Sequence, residues 1–437
     1  MRCLYKPLAC CALCLLLGTG RQLPAQRRIP DPAAQELNKF LSDAQAALDK
    51  QDFESAAQNY QDYLAKKPDD AIVHYDLGYV YFALNRPHDA KQEYQRAIAL
   101  DPKMAAAYLN LGAVLLATDP AGAVDPLQKA ADLAPQDAHT KWVLGTALEK
   151  SGQLPAAVEQ YRAARQLDDA DCKIRLSLAH ALFAANQPAE AETEYRAALS
   201  LPGTPAEIGQ AHRGLEETLL AEKKFPEASG ELALYLASHP NDPSARVDHA
   251  SMLFDAGKLD ESLDELDRAS KLAPDDLRAL KLRSDIFWKQ KRYADAVGAL
   301  QRAVALAPND ADIAARLGEA YLHTKDYPNA THWLAAAYRQ NSSANDVLAY
   351  LVDAEYGLKN YSQALAALDE LSRRMQLPPA SLYMRAACYD NLGRMAEALD
   401  AYQKFLQLNK DENSDMYFVS TARVRVLTRE LQNQKKR

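Results

Sequence analysis

Cysteine and glycine are scarce in this chain and acidic residues outnumber basic ones, and each of these features excludes a class of protein. Four of the six cysteines lie within the first fourteen of the 437 residues, so a disulfide scaffold is excluded. With 16 glycines and 22 prolines, the chain is neither collagen-like nor a low-complexity linker. The net charge of −8 argues against general nucleic-acid binding, because neutralising phosphates needs a basic surface.

The remaining composition is that of a folded protein, with 48% hydrophobic and 25% charged residues. The sequence contains no metalloprotease spacing, phosphate-binding loop, dinucleotide fingerprint or nucleophile elbow. We therefore expect no catalytic residue, no metal site and no cofactor, and predict that the protein is not an enzyme.

The first 25 residues have the pattern of an export signal. Two basic residues precede an apolar run over 8–18, and small residues follow it. This run is too short to cross a bilayer, which takes about 20 helical residues. The pattern predicts a signal peptide over 1–25, cleaved after Gly20 or Ala25, and hence a periplasmic or secreted protein. The alternative is that the leader is retained as a marginal membrane anchor.

One spacing organises the rest of the chain. A small residue recurs along the chain at a nearly constant interval. An aromatic residue or leucine almost always stands four positions after it, and alanine often stands seven positions after it. Because offsets of four and seven fall on one face of an α-helix, each period contains a helix with a small–large–small face. The small residue recurs at steps of 33 to 37 residues, mostly 34, at Ala56, Ala90, Ala123, Ala157, Ala191, Ala228, Ser262, Ala296, Ala330, Ala364 and Ala398.

A second helix and two kinds of junction complete each period. Between the helices, a glycine supplies the left-handed conformation that ends a helix, as at Gly152, Gly257 and Gly393. Between periods, a proline ends the outgoing helix. An aspartate two residues later is expected to cap the next helix by accepting hydrogen bonds from its first amides, at Asp70, Asp137, Asp242, Asp276 and Asp310.

This pattern resembles the tetratricopeptide repeat family. Eleven repeats cover 37–412, with departures at Glu216 and Val352, where the family has small residues. The resemblance implies an all-α fold, a right-handed α-solenoid of about eleven stacked helix-turn-helix repeats with a C-terminal capping helix. The clearest repeat places the family's residues at Leu77, Gly78, Tyr81, Ala90, Tyr94, Ala97 and Pro102.

Three segments depart from the regular repeat. Residues 26–36 are predicted to be an N-terminal linker. An insertion rich in proline and glycine predicts a kink at 201–208, with a tolerated loop as the alternative. Residues 413–437 are predicted to form a capping helix and a basic tail; the alternative is a basic anchor that contacts acidic lipid or an envelope complex. The apolar face of this helix comprises Val424, Leu427 and Leu431.

The resemblance also implies a binding site, because the first helix of each repeat lines a concave groove in this family. Rigid aromatic rings and the Asn110 amide suit an extended peptide. The alternative is that some of the rings pack between repeats and never meet a ligand. The predicted partner-binding residues are Tyr75, Tyr79, Phe82, Asn110, Trp142, Thr146, Lys173, His180, Phe183 and Arg213.

These observations predict a non-enzymatic protein–protein interaction scaffold that binds a partner protein or peptide in its groove and binds no nucleic acid. Two alternatives stay open. The first is a structural or assembly factor of a bacterial envelope, pilus or polysaccharide-export complex. The second is a glycan-binding accessory protein that uses the aromatic groove for sugars.

Overall fold

The computed structural model describes residues 32–409, 411 and 413–436, and the predicted signal peptide lies outside them. All regular structure in this part of the chain is helical, with 23 α-helices and no strand, which confirms the predicted all-α fold class. No helix within the described ranges combines the length and apolar character needed to cross a membrane. The described residues divide into two compact units: unit 1 ends at Asp169 and unit 2 begins at Ala170.

Unit 1 contains four helical pairs in its described residues. Within each pair the first helix packs against the second, and each second helix contacts the next first helix. The helices are α1 Pro32–Asp49, α2 Phe53–Lys66, α3 Ala71–Ala83, α4 Pro87–Leu100, α5 Ala105–Leu115, α6 Pro120–Leu133, α7 Ala138–Lys150 and α8 Leu154–Leu167.

Unit 2 continues the pattern with seven pairs and one further helix, so the eleven predicted repeats are all present as helical pairs. The helices are α9 Cys172–Ala184, α10 Pro188–Leu199, α11 Pro205–Ala221, α12 Phe225–Ser238, α13 Pro243–Asp255, α14 Leu259–Leu272, α15 Leu277–Lys289, α16 Tyr293–Leu306, α17 Ala311–His323, α18 Tyr327–Gln340, α19 Asn345–Gly357, α20 Tyr361–Arg374, α21 Pro379–Asn391, α22 Met395–Leu408 and α23 Asp415–Lys436.

The small–large–small face of each second helix forms the core of its pair. In α4, Ala90, Tyr94 and Ala97 are all buried. The Tyr94 ring occupies the space beside Gly78 of α3, where an added Cβ would lie 2.8 Å from the ring carbons. The missing side chain therefore lets the two helices approach closely around one large ring.

The predicted helix junctions are confirmed. Each of the five aspartates named above accepts a hydrogen bond from a backbone amide in the first turn of the following helix. The three predicted turn glycines have positive φ, between 72° and 81°. Seven other pairs place a residue with a side chain at this turn, with φ between 56° and 62°: Gln51, Asn85, Asn186, Lys223, Lys291, Lys325 and Lys359.

Two boundaries differ from the sequence predictions. The linker predicted over 26–36 is wrong in its later part, because α1 begins at Pro32, and proline suits the first turn, where its missing N–H needs no partner. The insertion does not form only a loop. Thr204 and Glu207 form a capping box that opens α11 with an added turn, so α11 has 17 residues. The kink at 201–208 remains a prediction.

Helix α23 covers the last helical pair. Leu427 is fully buried, and Val424 packs partly against the same cluster. Arg423 holds the Asp390 carboxylate of α21 with two hydrogen bonds, at 2.7 Å from Nε and 2.6 Å from Nη2. These contacts fix which face of α23 points toward the core.

Candidate functional site

The most exposed group of apolar side chains among the predicted binding residues lies on α3. Tyr79 is 45% exposed and Phe82 50% exposed. Tyr75, one turn before Tyr79, is half-buried. Ile72, which the sequence analysis missed, lies three residues before Tyr75 and is 64% exposed. Spacings of three and four residues place these side chains along one face of the helix.

A single carboxylate lies within this face. Asp76 is half-buried, and burial, with a smaller contribution from the negative charge of Asp70, raises the pKa of its carboxyl to about 6. We call Ile72, Tyr75, Asp76, Tyr79 and Phe82 the unit 1 wall. It combines exposed apolar surface with one acid that ionises near neutral pH.

The Asn110 side chain supports this wall, because its amide nitrogen is engaged by two tyrosine hydroxyls. Its Nδ2 lies 3.2 Å from the Tyr75 hydroxyl and 3.4 Å from the Tyr94 hydroxyl, and donates to both. The Tyr75 and Tyr94 rings meet with centroids 5.9 Å apart. The amide nitrogen therefore fixes the position of Tyr75 from the next repeat.

Trp142 and Thr146 on α7 are half-buried and contact their own helical pair. The Thr146 hydroxyl donates to the Trp142 carbonyl oxygen at 3.0 Å, and the Tyr161 hydroxyl lies 3.2 Å from Thr146 Oγ1. The Trp142 ring lies 5.5 Å from the His139 ring, centroid to centroid. These two residues offer less free surface than Tyr79 and Phe82.

The other four predicted residues lie in unit 2. Lys173 is exposed, with its Nζ 3.9 Å from Glu207 Oε1. His180 is exposed and meets the Tyr195 ring edge-on at 6.4 Å between centroids, and Phe183 is half-buried. Arg213 is held by two acids, Glu216 Oε2 at 3.2 Å and Asp248 Oδ2 at 3.5 Å.

Ion pairs of this kind continue along the first helices of unit 2. Asp248 of α13 also accepts from Arg278 of α15 at 3.2 Å. Further along, Arg316 of α17 donates to Asp285 of α15. We call this series the unit 2 ladder. Its cations are already matched by acids from neighbouring repeats, so much of its charge is neutralised within the chain.

Glu216 is the least expected member of this region. It occupies a small-residue position of the repeat and is buried on α11. Burial raises the pKa of its carboxyl to about 7, although the nearby Arg213 guanidinium acts in the opposite direction.

The described residues contain no cluster of three or more histidine, cysteine, aspartate or glutamate side chains placed to hold a metal ion. The thiols of Cys172 and Cys388 are buried and free. Burial raises the pKa of the Cys388 thiol to about 11, which makes it a poor nucleophile at neutral pH.

Comparisons with known proteins agree with the repeat pattern. Models described as tetratricopeptide repeat or TPR repeat match the chain, and one of them alone matches more than half of it. No curated protein sequence matches the chain. The matched residues are 41–90, 176–245, 247–311 and 351–413 for that model, and 78–119 and 287–342 for two others.

Many solved structures share the repeat. The structure of MamA from Desulfovibrio magneticus RS-1, from residue 41 to its end, is 22% identical, with a TM-score of 0.37, and the match covers 38% of this chain and 94% of that one. PilF from Pseudomonas aeruginosa is 20% identical, with a TM-score of 0.39, over 48% of this chain and 93% of PilF. Yeast Tom70 is 12% identical, with a TM-score of 0.32, over 91% of this chain and 97% of Tom70.

Proposed function

The chain belongs to the tetratricopeptide repeat family, and we propose that it is a non-enzymatic scaffold that binds a partner protein on the unit 1 wall. The observation that carries this proposal is the exposure of Ile72, Tyr79 and Phe82 on one helix face. Large apolar side chains that protrude together mark interaction sites more often than scattered ones do. Aromatic side chains in particular contribute a large share of binding free energy at interfaces.

The chemistry of the wall defines the partner segment. Apolar side chains of the partner would pack on Tyr79 and Phe82, and a lysine or arginine would lie opposite Asp76. Residues 32–169 contain 20 acidic and 13 basic side chains, so a basic partner would also be attracted at longer range. The unit 2 ladder, with its charges paired internally, is the weaker candidate for the same segment.

Site-specific photo-crosslinking tests this proposal. A photoreactive phenylalanine analogue placed at Tyr79 or Phe82 is expected to crosslink to one protein in the native host. The matched control is Leu234 on α12, which is 54% exposed and lies outside the wall. Equal crosslinking from Leu234, or none from the two wall positions, would count against a binding role for the wall.

Truncation of the same rings gives the quantitative test once the partner segment is identified. Each of Tyr79→Ala and Phe82→Ala is expected to weaken binding about tenfold or more, which corresponds to about 1.4 kcal/mol. Leu234→Ala is expected to leave the affinity unchanged. A sugar that displaced the partner segment would instead favour the glycan-binding alternative.

We also propose that the protein acts outside the cytoplasm, on the strength of the basic and apolar pattern of its leader. N-terminal sequencing of the protein from its host would test this. A mature N-terminus after Gly20 or Ala25 is expected, and an N-terminus at Met1 in the soluble cytoplasmic fraction would overturn it.

A further inference from the structure

The outer face of α23 is apolar where a terminal helix normally presents polar residues to water. Phe418 is 76% exposed, and Val419 and Val426 are exposed at 39% and 40%. Ala422 lies on the same side of the helix and is also exposed. The core-facing side is occupied by Leu427 and its neighbours, and these outer side chains stay exposed.

We call Asp415, Phe418, Ala422, Val426 and Arg429 the outer stripe of α23. These residues are placed symmetrically about Ala422. Asp415 stands seven residues before it and Arg429 seven residues after it, and both are exposed. Phe418 stands four residues before it and Val426 four residues after it. Offsets of four and seven keep all five residues on one helical face.

We propose that the outer stripe of α23 binds the same stripe of a second copy of the chain, as an antiparallel helix pair related by a two-fold axis near Ala422. In such a pair, each residue lies opposite the residue equally far on the other side of Ala422 in the partner copy. Phe418 then packs on Val426, and Asp415 faces Arg429, each contact occurring twice. The small Ala422 at the axis allows the two helices to approach closely.

The flanking residues fit the same arrangement. Val419 stands three residues before Ala422 and lies opposite Arg425, whose aliphatic stem covers apolar surface while its guanidinium reaches water. Arg423 takes no part, because it is held by Asp390 on the core side. Apolar contacts therefore lie inside the pair and opposite charges lie at its two ends.

An anionic membrane is the competing occupant of this face, because Arg425 and Arg429 lie beside exposed apolar side chains. Interfacial helices carry basic residues around their apolar face. Asp415, however, lies on the stripe itself and would be repelled by anionic lipid, whereas a second copy offers it Arg429. This match of opposite charges favours the second copy.

Sedimentation equilibrium of the purified protein tests the proposal. One helix face buries little surface, so a dissociation constant on the order of 10 µM is expected. Phe418→Glu places two carboxylates in the apolar centre of the pair and is expected to leave only monomer at about 50 µM. A protein that stays monomeric at about 100 µM before any substitution would overturn the proposal.

Exchanging the charges of Asp415 and Arg429 tests whether the two helices pair in this antiparallel register. Asp415→Arg and Arg429→Asp alone each place like charges opposite one another and are expected to raise the dissociation constant at least tenfold. The double variant restores opposite charges and is expected to recover most of the affinity. Single variants that dimerise as the parent does, or a double variant no tighter than the singles, would refute this antiparallel register.

Two controls separate this contact from misfolding and from lipid binding. Asp400 and Lys404, an exposed ion pair on α22, can be exchanged in the same way and are expected to leave dimerisation unchanged. Circular dichroism should be the same for all variants, because Leu427 and Arg423 are untouched. Sedimentation with phosphatidylglycerol vesicles decides the lipid alternative: binding that Phe418→Glu abolishes, by a protein that is monomeric alone, would assign the face to lipid.

Discussion

Asn110 on α5 donates from its amide nitrogen to the hydroxyl of Tyr75 on α3, across the boundary between two repeats, at 3.2 Å. The same nitrogen reaches the buried Tyr94, so one side chain links the exposed wall to the core of the preceding pair. The position of Tyr75 on the unit 1 wall therefore depends on a residue 35 positions away in the sequence.

Asn110→Ala should destabilise unit 1 by about 1–2 kcal/mol, because it removes two hydrogen bonds and leaves the buried Tyr94 hydroxyl without this donor. Thermal unfolding would measure the loss. Asn59→Ala is the matched control. Within the described residues, the Asn59 amide donates only to the Ser55 carbonyl oxygen of its own helix, so a change within about 0.5 kcal/mol is expected there. Equal losses in the two variants would contradict the linking role of Asn110.

Gly78→Ala should destabilise unit 1 by about 1–3 kcal/mol, because the new methyl group would lie 2.8 Å from carbons of the buried Tyr94 ring. The control is Gly230→Ala on α12, where an added Cβ meets nothing within 4 Å. Alanine is the better helix former there, so a gain of about 0.5–1 kcal/mol is expected. Urea unfolding midpoints should move in opposite directions, and a shared direction would argue against a steric cause.

The fold follows from the sequence because its signals are local. The 34-residue period places Tyr94 beside Gly78 through helix spacing alone. Asp70 caps α3 by accepting a hydrogen bond from the backbone amide of Val73, three residues later in the sequence. The structure of the insertion at 201–208 was harder to predict from the sequence. Its prolines indicated a break, yet Thr204 and Glu207 cap each other and turn part of the insertion into helix.

The properties of the site depend on distances between repeats, which the period does not specify. The sequence predicts Arg213 as a partner-binding residue. Its partner Asp248 lies on the first helix of the next repeat, so their ion pair follows from the packing of two helices and not from the period. Ile72 and Asp76 each lie three residues before a predicted binding residue of the same helix, Tyr75 and Tyr79, so helical spacing could have included them. The raised pKa of Asp76 arises from partial burial, which the residue type alone does not indicate.

Asp76→Asn should stabilise unit 1 at pH 7.5 by about 1–3 kcal/mol, and the gain should fall toward zero near pH 4. The pKa of Asp76 rises from 3.8 to about 6 on folding. Between these values the folded state holds a proton that the unfolded state has lost, so the stability of the parent falls as pH rises through this window. Thermal midpoints at both pH values would measure the difference. A gain independent of pH would mean that ionisation of Asp76 is not its source.

Glu216→Gln should stabilise α11 by about 2 kcal/mol at pH 8 and have little effect near pH 4. Burial raises the pKa of this carboxyl from 4.5 to about 7, so ionisation above pH 7 occurs at a cost that the unfolded chain does not bear. Glutamine keeps the size of the side chain but cannot ionise, which separates charge from packing. Arg213 keeps Asp248 as its partner in the variant, so its own charge stays matched.

Amide hydrogen exchange in α11 would measure this effect locally, because repeat proteins open in segments rather than all at once. Slower exchange in Glu216→Gln than in the parent at pH 8, after correction for the intrinsic rate, is the expected result. Faster exchange at pH 8 would instead mean that the ion pair of Glu216 with Arg213 more than offsets the burial of its charge. Glu216→Ala extends the test, because it restores the small residue typical of the repeat. Its exchange rates should depend on pH in the same way as those of Glu216→Gln. A difference between the two variants that does not change with pH would report the packing of the longer side chain alone.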